Sequence, residues 1–222
     1  LTIPLEENDR AILDEEDTRQ ILKDLIVEFE LDPDTYTPPR IKNAISSLKQ
    51  EMIDASTFAQ TDDNSPFQRT LRQLYAAYEA RLMRVKGLDF DDLLMKTVML
   101  LQSSDEVRAY YEERWHYIHI DEYQDTNKAQ YILSRLLATR HRNIAVVGDI
   151  DQAIYSWRGA DWRNILQFEL DWQGTKIITL ENNYRSTKAI LEAANAVITN
   201  NTERKEKTLR STKTEGEQLG LC

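Results

Sequence analysis

The chain has 222 residues, 41% hydrophobic and 30% charged. That suffices for one ordinary domain or two small ones with a sizeable core, and it excludes a disordered, collagen-like or disulfide-built chain. The net charge is −10, but residues 1–63 hold 16 acidic and 6 basic residues, which is the whole excess, while the remainder balances at 22 of each; total charge therefore neither supports nor excludes a nucleic-acid partner.

Residues 1–63 read as short helices joined by polar turns. Asp14-Glu15-Glu16-Asp17 precedes apolar residues at Ile21, Leu22, Leu25, Ile26 and Phe29, a helical spacing with acids at the end where the helix dipole favours them. Asp32-Pro33 and Pro38-Pro39 break the chain, and Ile41, Ile45, Leu48 and Met52 then share one face of a second helix. Asp62-Asp63-Asn64-Ser65 reads as a loop, with Ser65-Pro66 as the N-cap and first residue of a long helix lined by Phe67, Leu71, Leu74, Tyr75, Tyr78 and Leu82. Gly87 is expected at the left-handed position that closes it. Asp89–Leu101 follows as an apolar helix, and Ser104 caps another that runs to about Arg114.

The pattern then changes. Tyr117–Ile120 and Ile144–Val147 are short apolar runs ending in Asp121-Glu122 and Gly148-Asp149, and Ile177–Leu180 is a third. Helical stretches at Thr126–Thr139, Asp161–Leu170 and Ser186–Asn200 separate and follow them. Buried strands alternating with helices predict a parallel α/β sheet, whose ligands bind at the carboxyl ends of the strands. The tail from Thr202 is polar and reads as a loose end. Cys222 is the lone cysteine, so no disulfide closes within the chain, which fits a reducing compartment. There is no apolar run of membrane-spanning length and no signal peptide, and a first residue Leu1 rather than Met suggests a piece of a longer protein.

Each strand end carries unusual chemistry. A carboxylate such as Asp121, fixed at a strand tip, suits Mg2+, and a neighbouring one, Glu122, suits deprotonation of an attacking water. The same pair also suits the start of a helix. After the second run, Gly148 is expected to permit a tight turn, and Gln152 offers both a donor and an acceptor to a terminal phosphate or its water. Tyr155, Trp157 and Arg158 bring two aromatic faces and a guanidinium together, a platform on which bases stack; Tyr155 reads equally well as a core aromatic. After the third run, Tyr184 suits stacking on a nucleobase and Arg185 suits a γ-phosphate, with Ser186 expected as a helix cap.

Together and in order, DEYQDTN, VVGDIDQAIYSWRGAD and LENNYRSTKAIL resemble motifs II, III and IV of superfamily 1A helicases of the UvrD/Rep/PcrA group. The likeness runs from about Asn8 to Leu209, and ILDEED, PPRIKNAISSLKQE and LDFDDLL resemble the helical 1B subdomain of that group. It implies an α/β fold with a helical 1B subdomain at 1–88, the C-terminal part of a RecA-like motor domain 1A at 89–175, and the start of domain 2A plus a polar tail at 176–222. That fold is a partial RecA-like parallel sheet flanked by helices. It implies Mg2+ on Asp121, Glu122 as catalytic base, and Gln152 at the γ-phosphate. Tyr184 would stack on adenine, Arg185 would be an arginine finger, and Tyr155, Trp157 and Arg158 would hold single-stranded DNA. The implied activity is ATP-driven 3′ to 5′ movement and duplex unwinding. The implied setting is the bacterial cytoplasm, at the nucleoid, with DNA, ATP and repair or replication proteins as partners and no membrane.

The sequence departs from the group's pattern in places. No G-x-x-x-x-G-K-[ST] phosphate loop occurs among the six glycines, and Arg210 stands where the group usually has Trp. The chain by itself is therefore expected to hydrolyse ATP negligibly, and its incomplete sheet to self-associate through open edges. Two further readings are a non-catalytic DNA- or protein-binding module derived from a helicase, and the helicase subunit of a helicase–nuclease.

Overall fold

The computed structural model describes residues 11–63, 65–201, 207, 209–218 and 220; Asn8, Thr202 and Cys222 lie outside them. The first half is helical. α1 (Glu15–Glu28) starts at Asp14, whose carboxylate accepts from the N–H groups of Glu16 and Asp17 while Asp17 accepts from the N–H of Asp14, so the run of acids forms a reciprocal cap. α2 (Pro38–Gln50) opens on its proline pair, where missing N–H groups cost nothing. After the single turn α3 (Ala55–Phe58), α4 (Pro66–Arg84) is capped by Ser65. Their apolar stripes meet in one core: Leu22 and Leu25, Ile41 and Ile45, Phe58, then Leu71, Leu74, Tyr75, Tyr78 and Leu82.

Gly87 does not close α4. The helix ends earlier, Lys86 takes the left-handed conformation at φ 51° and bonds back to Met83, and Gly87 is left to form β2 (Gly87–Leu88). β2 pairs in parallel with β1 (Ala11–Ile12).

α5 (Phe90–Ser103) starts at a second reciprocal cap, between Asp89 and Asp92, and packs on α2, on α6 (Asp105–Arg114) and on α7 (Lys128–Ala138). The seam between α2, α4 and α5 is ionic. Lys49 of α2 is 0% exposed, and its ammonium lies 2.7 Å from Glu79, 2.8 Å from Asp89 and 2.9 Å from Asp92. Tyr78 donates to Asp89, and Lys96 adds a second cation beside Asp92 at 3.1 Å. Burial disfavours the charge on Lys49, but Asp89, Glu79 and Asp92 outweigh it and hold the lysine pKa above its ordinary value.

The second half is built around β3 (Ile118–Ile120) and β4 (Ile144–Val146), parallel and in register from Ile118 opposite Ile144 to Ile120 opposite Val146. Ile118, Ile120, Ile144 and Val146 point to a core completed by Tyr123, Ala138, Phe168 and Trp172, the last two from α8 (Arg163–Asp171) and its C-cap. His119 and Ala145, on the opposite face, are exposed. The sheet is therefore covered on one face among the described residues, where continuous apolar runs had predicted burial on both.

Ile177–Leu180 is not a strand. Ile177, Ile178 and Leu180 are exposed, because no neighbouring strand among the described residues accepts their backbone bonds. Strand pairing comes just afterwards instead, in parallel between β5 (Asn182–Asn183) and β6 (Arg210–Ser211), so the tail is tied back here rather than loose. α9 (Lys188–Ile198) follows β5 in the chain, and its N-cap is Thr187, not Ser186, whose N–H bonds to the Asn183 side chain. The chain is thus helix-rich with short parallel strands. No described helix is long and apolar enough to cross a membrane.

Candidate active site at the strand tips

β3 ends at Ile120, and the chain turns at once through Asp121 and Glu122. Glu122 holds a left-handed backbone at φ 50°. Among the described residues, the other four non-glycine residues with positive φ all follow helix ends, and Glu122 alone follows a strand. Such a conformation is costly for a side-chain-bearing residue and persists where surrounding contacts fix it. Here the Glu122 N–H bonds to Asp121 Oδ1 at 2.9 Å, and the next peptide is tied across to β4 by Tyr123 N–H to Val147 O, also 2.9 Å. The turn leaves both Asp121 and Glu122 exposed and side by side.

Gln124 joins this turn to the next. It is buried, donates through Nε2 to Glu122 at 2.7 Å, and accepts through Oε1 from the Asp149 N–H at 3.0 Å. Asp149 in turn accepts from Gln152 Nε2 at 2.7 Å. Gly148 is needed at this crossing for room: a Cβ there would lie 2.8 Å from Gln124 Oε1 and 2.9 Å from Ile165. Its φ is not in the left-handed region, so close approach, not the tight turn expected from the sequence, is the reason for glycine. Glu122 and Gln152 are thereby linked through two side chains, Gln124 and Asp149, that sequence reasoning passed over. Gln124 lay inside a motif read for its acids, and nothing in its spacing marked it as buried.

The electrostatics are sharply acidic. Asp121, Glu122, Asp125, Asp149 and Asp151 cluster around the two tips, and Lys207 is paired with Asp149 and, at 3.3 Å, with Asp151. Burial and the Glu122 charge push the Asp125 pKa up. Burial also acts to raise that of Asp149, but hydrogen bonds from Lys207 and Gln152 prevail and hold it below the usual carboxylate range. This donor set fits a hard divalent cation: Asp121 has one oxygen engaged by its own turn and sits exposed beside a second carboxylate, an all-oxygen environment of the kind Mg2+ prefers. For a nucleotide the fit covers one side only, since no glycine-rich phosphate loop exists in the sequence.

The aromatic group forms as expected. Tyr155 and Trp157 have ring centroids 6.3 Å apart, and the Arg158 guanidinium lies 5.6 Å from the first ring and 4.6 Å from the second. Both rings are accessible, Trp157 at 72% exposure, so Tyr155 is not a core residue. Trp157 and Arg158 also border a cleft of about 490 Å³ against α1, α2 and α4, lined by Asp14, Lys42, Gln50 and Tyr78 among others. Gly159, at φ 77°, abuts Gln50 of α2 so closely that any side chain would strike its amide. Asp161 and Asn164 tie the far side of this loop to Thr126, through Asp161 N–H at 3.0 Å and Asn164 Nδ2 at 2.9 Å to its carbonyl.

Tyr184 and Arg185 stand apart. Tyr184 is 70% exposed, and no hydrogen bond or ion pair among the described residues joins either one to Asp121, Glu122 or Gln152. Asn183 shapes their turn by accepting from the N–H groups of Arg185 and Ser186, at 3.0 and 2.8 Å.

Two adjoining acids at one strand tip, a glutamine and an aromatic–arginine turn at the next, and a Tyr-Arg pair after the third segment form an ordered set. Residues 5–173 match the UvrD/REP helicase N-terminal domain, and residues 178–222 match the UvrD-like helicase C-terminal domain. The chain belongs to the UvrD/REP helicase family. Within it, the chain is 47% identical over 209 residues to the ATP-dependent DNA helicase PcrA of Leuconostoc citreum, covering 94% of this chain and 28% of that protein. It is 46% identical over 213 residues to the protein of the same name from Staphylococcus aureus strain Mu50, covering 96% and 29%. The Bacillus subtilis strain 168 protein is 46% identical over 206 residues, covering 93% and 28%. This UvrD/PcrA-type helicase chain thus spans less than a third of the length of these relatives.

Proposed function

We propose that the chain supplies one face of an ATP-driven DNA motor. In this reading residues 1–88 are the 1B subdomain, 89–175 the later part of a RecA-like domain 1A, and 176–222 the start of domain 2A. The observation that carries it is the hydrogen-bonded path from Glu122 through Gln124 and Asp149 to Gln152. It joins the residue suited to move a proton to the residue suited to sense a phosphate, one turn away from the aromatic platform.

Asp121 would hold Mg2+, which when bound neutralises charge on the phosphates. Glu122, oriented by Gln124, accepts the proton of the attacking water. Gln152 bonds to the terminal phosphate or to that water, and Arg185 stabilises the charge that grows on the transferring group. Tyr184 stacks on adenine. Tyr155, Trp157 and Arg158 grip single-stranded DNA by stacking, at about 1–3 kcal/mol per base. A change at Gln152 reaches this platform through the same loop, which couples hydrolysis to 3′ to 5′ movement and duplex unwinding during repair or replication in the cytoplasm.

Without a phosphate loop the chain alone hydrolyses ATP negligibly. Supplying a segment that carries the loop, taken from a relative, should restore DNA-stimulated hydrolysis. Glu122→Gln should abolish that hydrolysis while a fluorescent ATP analogue still binds. Activity that survives Glu122→Gln removes the proposed base, and robust turnover by the chain alone removes the claim that one wall of the site is missing.

A further inference from the structure

At the other end of the same two strands lies a second group of ligating side chains. Glu113, in the last turn of α6, and His116, just before β3, approach His141, which precedes β4. One ligand atom from each lies within 4.8 Å of the others. The two imidazole rings have centroids 4.3 Å apart, and His116 Nε2 is 3.8 Å from Glu113 Oε1. Nε2 of His141 is buried without a hydrogen-bond partner, a state that buried polar atoms rarely occupy. Arg140 holds the other Glu113 oxygen at 2.9 Å, which orients the carboxylate and leaves Oε1 turned to the histidines.

We propose that Glu113, His116 and His141 form a binding site for a transition-metal divalent cation of the zinc class. Two imidazoles and one carboxylate suit Zn2+, whereas Mg2+ prefers oxygen alone. A tetrahedral ion with bonds near 2.0–2.1 Å keeps its donors roughly 3.3 Å apart, so the three groups must close by at most about 1.5 Å from their present spread. Glu113 and His116 are exposed, so small side-chain adjustments bring the donors to that spacing while Arg140 keeps the other Glu113 oxygen. Three protein ligands leave the fourth position of such an ion to a water. The bound ion fastens the entry of β3 to the entry of β4, at the edge of the sheet opposite the tips that carry Asp121 and Asp149. The site therefore braces the strands and takes no part in the chemistry at their other ends.

The test uses the untagged chain, stripped with a chelator. Zinc chloride at about a hundredfold over its Kd should raise the thermal midpoint by roughly 5–10 °C. The chain has three histidines, so imidazole NMR gives a local readout that does not depend on any variant folding. Zinc should move the His116 and His141 resonances together and leave His119 in place. His116→Gln with His141→Gln should abolish the thermal shift. A thermal shift that survives undiminished in the double variant, His116 and His141 resonances that move equally with magnesium chloride, or an unmoved His116–His141 pair with zinc would overturn the site.

Discussion

Gln124 gives the two ends of one amide to different strand tips, and Gly148 provides the space in which it does so. Gly148→Ala should therefore force Gln124 aside and cost about 1–3 kcal/mol of stability, the usual penalty of overpacking, read by urea unfolding. In the restored enzyme it should also lower hydrolysis, because Glu122 loses its orienting donor. A second residue-scale effect concerns Asp149. Its folded-state pKa is depressed, so its contribution to stability is present above about pH 3.9 and is lost as pH falls through the lower folded value. Lys207→Met removes the principal hydrogen-bonded cation and should move the Asp149 carboxyl titration upward, followed by 13C NMR. An unmoved titration would assign the depression to Gln152 and the backbone instead.

Among the elements, α2, α4 and α5 are joined by Lys49 as much as by apolar packing. Lys49→Met would leave Asp89 and Asp92 buried, and Glu79 half-buried, around an absent charge, and should destabilise the chain by about 3–5 kcal/mol in a denaturant titration. The lysine pKa is raised, so this stabilisation is complete below about pH 10.4 and fades only as alkali carries pH through the higher folded value. The faces of α1, α2 and α4 were legible in the sequence because Leu22, Ile41 and Tyr75 recur at helical spacing. Lys49 was not, since a lysine one place beyond Leu48 reads as solvated until the acids of two distant segments are known to meet it. The caps at Ser65 and Ser104 were local and readable, whereas the acids at 14–17 were legible for the helix dipole but not as the reciprocal cap that Asp14 and Asp17 form. The apolar run Ile177–Leu180 misled because composition records a preference for strand but not whether a neighbour is present to pair with it. At the site, the order of Asp121, Gln152, Trp157 and Arg185 was readable from the motifs, whereas the link through Gln124 depends on β3 and β4 lying side by side.

For the molecule as a whole, the open side of the sheet has a cost in solubility. Val147, Ile154, Ile177, Ile178 and Leu180 are exposed, and β3 and β4 form a sheet of only two strands. Unpaired edges and apolar surface of this kind favour self-association. Sedimentation velocity should show concentration-dependent association, reduced by Ile178→Lys; a chain that stays monomeric at high concentration would mean that this surface is shielded in solution. Gly159 lies directly against the Gln50 amide, so the aromatic turn packs on α2 without an intervening side chain. The turn that carries Trp157 therefore sits against the helical half, whereas Tyr184 follows β5, which pairs with β6. In the motor proposed above, a stroke would change the separation of these two aromatics, since they stand on different mountings.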